Sequence, residues 1–156
     1  MLEVISVRWI RFVNVVLKDE NVVRVTFDDY SLYESIQTPT AKSLKLDLDR
    51  YFKGERVEFN RYNVDLSSCS DFTKRVLEEV RKIPYGEVRT YKDIAEKIGT
   101  GYRAVGQALK KNPTPIIIPC HRVVSTKGLG GFSAGVEIKK ELLKLELNDL
   151  KFLDPS

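Results

Sequence analysis

Two hydrophobic periodicities divide this chain. Val4 to Asp19 (VISVRWIRFVNVVLKD) and Asn21 to Asp29 (NVVRVTFDD) are dominated by Val, Ile, Phe and Trp in short runs of strand type. The polar KDEN between them has the composition of a hairpin turn. AKSLKLDLDRYFKGE is helical at its centre and closed by Gly54. Polar residues then cluster from Asn63 to Ser67, where a first α+β unit is expected to end. Beyond that point the period becomes helical. Over 71–83, Phe72, Val76 and Val80 form an amphipathic stripe, stopped by Pro84 and Gly86. Thr90 is an N-cap for YKDIAEKI, with Asp93 three residues on approximating a capping box, and Gly99 is a natural helix terminator. Thr100 or Gly101 then caps YRAVGQALKK, and two short helices joined by a Gly-containing turn are a helix-turn-helix signature. The second of them divides cleanly, with Ala104, Val105, Ala108 and Leu109 on an apolar side and Arg103, Gly106, Gln107 and Lys110 opposite. Gly106 costs about 1 kcal/mol of helix stability relative to Ala. It either packs closely inside the protein or lets a basic face approach another surface. Ile116 to Ile118 reads as a buried strand. VEIKKELLKLEL is a last amphipathic helix, with Ile138, Leu142 and Leu145 on one side.

Composition narrows the class. At 156 residues, 42% hydrophobic and 31% charged, the chain belongs with globular proteins of one domain or two small ones. Glu3, Arg8 and Arg11 interrupt the apolar start, against a signal peptide or membrane span. A cytoplasmic location is expected, with a nuclear one as the alternative, and no membrane partner. Residues 1–64 hold 10 Lys and Arg against 10 Asp and Glu, so the net +4 arises wholly beyond them. From Lys97 to Val136 no acidic residue occurs, while Lys97, Arg103, Lys110, Lys111, Arg122 and Lys127 do. A surface built from this stretch would attract a polyanion.

The candidate chemistry lies in the same stretch. IIIPCHRVV runs an apolar segment into Pro119, Cys120 and His121, the single histidine of the chain. Two cysteines, Cys69 and Cys120, are too few for a disulfide framework. One histidine and two cysteines lack the partners for a tetrahedral zinc site. A thiol next to an imidazole points to a nucleophile, because free cysteine titrates near 8.5 and needs activation at neutral pH. On composition alone an inert buried cysteine is an equal reading.

Taken together, IPYGEVRTYKDIAEKIG, RAVGQALKKNP, IPCHRVV and GGFSAG follow one another in an order and spacing that resemble the O6-alkylguanine-DNA alkyltransferases, over residues 70–147. The resemblance implies an α+β protein: a small ribonuclease-H-like α/β domain at 1–66, and a mainly helical, winged-helix-like domain with a helix-turn-helix at 67–156. It implies a monomer that binds double-stranded DNA and flips O6-alkylguanine out of the stack. The alkyl group then passes irreversibly to Cys120, once per molecule and without cofactor or metal, with O4-alkylthymine as a further substrate. In the family the histidine acts on the cysteine through a water and is held by a glutamate, which places His121 and Glu146 in a relay, with Glu141 as the rival. Asn112 matches an asparagine that supports the active segment through backbone hydrogen bonds. Arg103 matches an arginine that fills the gap left by the flipped base. Tyr91 matches a tyrosine that donates to the guanine ring. Val123, Ser133 and Pro115 match the substrate pocket. Thr73, Lys92, Gly106 and Thr126 match DNA contacts.

Two departures stand out. Phe132 occupies a position where the family commonly has Tyr, and Ala134 one where it has Gly, which narrows the pocket against bulky alkyl groups. Two other classes compete: a DNA-binding module without chemistry, which the presence of Cys120 disfavours, and a Cys–His hydrolase, which leaves the helix-turn-helix and the acid-free stretch without purpose.

Overall fold

The computed structural model describes residues 1–147; residues 148–156, the end of the expected second domain, lie outside the described residues. The described chain is α+β, with a three-stranded sheet and five α-helices, and it divides into two compact units.

The first unit comprises Met1–Ser68 together with Pro113–Ile117. Strands β1 (Leu2–Arg8), β2 (Phe12–Lys18) and β3 (Asn21–Asp28) form an antiparallel meander in that order. The first strand-like run is thus two strands, broken at Trp9–Arg11, where the Trp9 amide donates to the Arg11 carbonyl over 2.8 Å. KDEN does form the next turn. Asp19 and Glu20 both have positive φ (49° and 66°), as a two-residue hairpin turn of matching twist requires. Helix α1 (Pro39–Phe52) is capped by the Thr38 side chain, has Pro39 in its first turn, and gives way to Gly54 at φ 91°. It packs on β1, and Ala41, Leu44, Leu48 and Tyr51 are buried.

Pro113–Ile117 joins this unit through the amide of Val25, which donates to the Pro113 carbonyl over 2.8 Å. The Ile116–Ile118 run is buried as expected, yet it is not a strand. Ile116 sits at φ 76°, a left-handed conformation that is strained for a β-branched residue and turns the chain. Burial read from an apolar run does not fix its dihedral angles.

The second unit comprises Cys69–Asn112 and the described residues from Ile118 on. Helix α2 (Asp71–Val80) is capped by Ser70 and ends three residues before the expected point, loosening into turns through Ile83. Its buried stripe is Thr73, Val76, Leu77 and Val80, the i, i+3, i+4, i+7 pattern. Phe72 is only half-buried. Thr90 starts α3 (Tyr91–Ile98) with both arms of a capping box present, and Gly99 ends it at φ 76°. Helix α4 (Tyr102–Leu109) follows from Gly101 and buries Val105, Ala108 and Leu109 as its pattern requires. The short strands β4 (Arg89–Thr90) and β5 (Val123–Val124) pair in parallel, tying the start of α3 to the segment after Cys120. Helix α5 (Val136–Glu146) closes the unit, burying Ile138, Lys139, Leu142, Leu143 and Glu146. Leu143, rather than the expected Leu145, is the inward leucine. Among the described residues no helix is long and apolar enough to cross a membrane.

Candidate active site

Local backbone chemistry presents the thiol. Pro119, at φ −80° and ψ 64°, lies in an inverse γ-turn, and the Cys120 amide donates to the Ile118 carbonyl over 2.8 Å. Proline suits this turn because its ring already holds φ near −65°. Asn112 Nδ2 donates to the same Ile118 carbonyl over 3.1 Å, and the Asn112 side chain also hydrogen-bonds the Cys120 thiol. Residues 120–122 then form a single 3₁₀ turn. The thiol is 6% exposed and forms part of the wall of a cavity of about 340 Å³, within the roughly 300–1,000 Å³ usual for small-ligand sites.

The cavity has three other sides. Arg103, Gly106, Gln107 and Leu109 of α4, with Lys110 at its C-terminal end, make one. Gly131, Phe132 and Ser133 make the second, and Tyr91 of α3 makes the third. A Cβ built on Gly106 would meet nothing within 4 Å. The glycine is therefore not required by packing inside the protein, and the open alternative, approach by another surface, is the one that survives. Gly130 is different. At φ 74° its absent Cβ would lie 2.6 Å from Tyr91 Cε2 and Oη, so this glycine is what lets the Tyr91 ring lie against the loop.

Behind the thiol lies a buried ionic group. His121 Nε2 is 2.7 Å from Glu146 Oε2. Arg122 grips the same carboxylate with Nε to Oε1 at 2.7 Å and Nη2 to Oε2 at 3.2 Å, while its Nη1 donates to the Ile83 carbonyl at 2.7 Å. Burial alone would raise the Glu146 carboxyl; His121 and the Arg122 fork outweigh it and hold it far below the usual carboxylate range. Burial lowers the His121 imidazole against the pull of Glu146, so it is neutral at pH 7. An ionised carboxylate only accepts, so the neutral ring must carry its hydrogen on Nε2, and the lone pair falls on Nδ1. Glu146 is thus the partner of His121, while Glu141 pairs with Lys144 at 3.3 Å.

The structure adds a residue that the sequence reading passed over. Lys139 of α5 is fully buried, and its Nζ donates to the Val123 carbonyl (2.6 Å), the Gly131 carbonyl (3.0 Å) and Tyr91 Oη (3.4 Å). Burial pulls its ammonium down to about 8, partly opposed by the nearby thiol. The thiol is in turn pushed up by burial to about 11, against lowering by Asn112 and Lys139. Burial also raises the Tyr91 phenol, and its hydroxyl donates to the Gly131 carbonyl over 3.3 Å. The signal for Lys139 was in the sequence. Lys139, Leu142, Leu143 and Glu146 are themselves an i, i+3, i+4, i+7 stripe, hidden by assuming that lysine faces water.

The remaining expected site residues divide. Arg103, Lys92, Thr126 and Ser133 are exposed, and Gly106 is half-buried. Val123, matched to the substrate pocket, is buried, and its carbonyl accepts from Lys139. One assignment is corrected. Thr73 is 2% exposed and part of the buried face of α2, and its Oγ1 accepts from Ser70, so its side chain is turned inward. Pro115 is buried in the Pro113–Ile117 segment of the first unit. Arg122, counted with the basic stretch, is committed to Glu146. Among the described residues no group of three or more His, Cys, Asp and Glu could hold a metal ion.

Known proteins are similar to this chain in sequence and fold. The sequence model of the 6-O-methylguanine DNA methyltransferase DNA-binding domain matches residues 71–148. A methylated-DNA–protein-cysteine methyltransferase of Archaeoglobus fulgidus is 47% identical over 90% of this chain and 97% of its own. One of Metallosphaera sedula is 47% identical over 86% of this chain and 85% of its own. Among solved structures, the O6-methylguanine methyltransferase of Mycobacterium tuberculosis superposes with a TM-score of 0.79 at 30% identity, covering 99% of this chain and 100% of that one. The chain belongs to the O6-methylguanine-DNA methyltransferase family.

Proposed function

We propose that this protein repairs O6-alkylguanine in duplex DNA by taking the alkyl group onto Cys120 in a single turnover, with O4-alkylthymine as a second substrate. One observation carries the reading: the only histidine, a buried Glu–Arg pair and a cavity-lining thiol converge beside the exposed, basic face of α4.

In this reading α4 docks on DNA, Arg103 takes the place of the everted base, and the base enters the cavity. The Cys120 proton passes to His121 Nδ1, through a water as the family resemblance implies. The new Sγ–C bond forms as the C–O6 bond breaks. Guanine leaves as the neutral base once it gains a proton, for which Tyr91 Oη, with Lys139 beside it, is the adjacent donor. His121 stays oriented by Glu146, and Arg122 keeps that carboxylate charged. Lys92 and Thr126, both exposed, are assigned to phosphates, and Ser133 and the Val123 carbonyl to the base. Asn112 holds the turn that presents the thiol.

The finer parts of the reading are a ribonuclease-H-like first domain at 1–66, a winged-helix-like second domain at 67–156, a monomer and a cytoplasmic location. The β1–β2–β3 meander under α1 and the α3–α4 pair beside β4–β5 are consistent with the two fold descriptions. The test is mass spectrometry of the intact protein after incubation with O6-methylguanine duplex. One methyl group is expected, mapped to Cys120, and Cys120→Ala should bind the duplex yet gain none. Catalytic turnover of an ester with no methyl gained would instead establish a Cys–His hydrolase.

A further inference from the structure

Tyr102, the first residue of α4, is 57% exposed. In the second unit it and Val136 are the exposed large hydrophobic residues among the described residues. Helix α4 does not need it. The helix is entered from Gly101, whose side makes no cap, and its core face is Val105, Ala108 and Leu109. Unlike the exposed Tyr30 and Tyr33, this ring stands next to Arg103 on the basic side of α4, where it is available to pack on whatever that side meets.

Its surroundings say what that is. Arg103 is the next residue, and Gly106 lies one turn further on the same side, about 40° away around the axis. A Cβ on Gly106 would meet nothing within 4 Å, so the helix is open to close approach at this position. The face carries Arg103 and Lys110 within a stretch, Lys97 to Val136, that has no acidic residue. The matching covering surface is therefore a polyanion with flat apolar faces, and a nucleic-acid duplex has both. Rings stack on bases and sugars irrespective of sequence, as single-strand binders show.

We propose that Tyr102 is a second wedge beside Arg103, its ring packing on the sugar and base edge that border the vacancy of the everted nucleotide. It is a positioning residue: it stabilises the opened duplex and does not touch the alkyl group. This rests on the reading that Arg103 replaces the flipped base. A ring, and not a hydroxyl, is what the role needs, so Phe serves and Ala does not.

The test compares single-turnover alkyl transfer from O6-methylguanine duplex, at DNA below saturation, with transfer from free O6-benzylguanine. The variants are Tyr102→Ala, Tyr102→Phe and Arg103→Ala, each with its thermal midpoint measured. The ratio of duplex to free-base rate should fall at least tenfold in Tyr102→Ala and stay within twofold in Tyr102→Phe, with midpoints within about 2 °C of wild type, as for an exposed side chain. With 2-aminopurine next to the lesion, Tyr102→Ala should also show less fluorescence gain on binding. An unchanged ratio in Tyr102→Ala, or an equal loss in Tyr102→Phe, overturns the wedge. If Arg103→Ala lowers the ratio while Tyr102→Ala does not, only this inference fails. If neither lowers it, the base-eversion reading fails with it.

Discussion

At the scale of single residues, the site is set by what burial does to three ionisable groups. Burial pushes the Cys120 thiol up to about 11, so at pH 7 very little of the unliganded protein carries thiolate. In the proposed mechanism the proton is removed as the electrophile arrives, with Nδ1 of the neutral His121 as its acceptor, so no resting thiolate is needed. Alkylation of Cys120 by iodoacetamide, followed by peptide mass spectrometry, should therefore climb steadily from pH 7 to pH 10. A plateau by pH 8 would mean a resting thiolate and contradict the burial argument. Folding stability responds to the same groups with opposite signs. The thiol value is raised in the fold, so its contribution is intact below its unfolded value of about 8.5 and is lost as pH rises towards 11. The Lys139 value is depressed to about 8, so the cost of burying its ammonium is relieved as pH rises from there. Around pH 9–10 the two oppose each other, and reactivity changes there without a parallel loss of fold from this pair.

At the scale of elements, the site depends on a few backbone positions where only one residue type fits. Gly130 is one: a side chain there meets both a left-handed φ of 74° and the Tyr91 ring at 2.6 Å. Gly130→Ala should displace Tyr91 from the cavity wall. The expected result is a loss of about 1–3 kcal/mol of stability by thermal denaturation and a larger fractional fall in alkyl-transfer rate than Gly106→Ala produces on free O6-benzylguanine. Equal rates for the two glycine variants would show that Tyr91 position is not controlling. The same scale shows what was legible in the sequence. The Thr90–Asp93 capping box, Gly99 and the two faces of α4 could be read because each is a local or periodic signal, whereas Glu146 as the partner of His121 came only from the family resemblance. The Ile116 turn could not be read, since an apolar run specifies burial and leaves φ open; the burial of Lys139 was legible in its helical spacing, but its oxygen partners, from Val123 and Gly131, were not. Thr73 was misplaced for the same reason: matching a motif assigns a residue type to a position, but only the fold decides which way it faces.

At the scale of the whole molecule, charge placement governs how DNA is met. The acid-free stretch from Lys97 to Val136 holds six cations, but Arg122 is buried against Glu146. Lys97, Arg103, Lys110, Lys111 and Lys127 remain exposed. Each phosphate neutralised releases counterions and adds about −0.9 to the slope of log affinity against log salt, so full use of these five would give about −4.5. Affinity for an undamaged duplex should fall along such a line, with a slope between about −2 and −5. Lys110→Gln, at the end of α4, should make it shallower by about one. Free O6-benzylguanine is uncharged and displaces no phosphate counterions, so its reaction rate should be nearly independent of salt. The contrast isolates the electrostatic step. A duplex slope near zero would reduce the basic stretch to a solvated face, whereas a salt-dependent free-base rate would place the effect at the cavity, where Arg103 and Lys110 line the wall and Lys139 acts on the thiol.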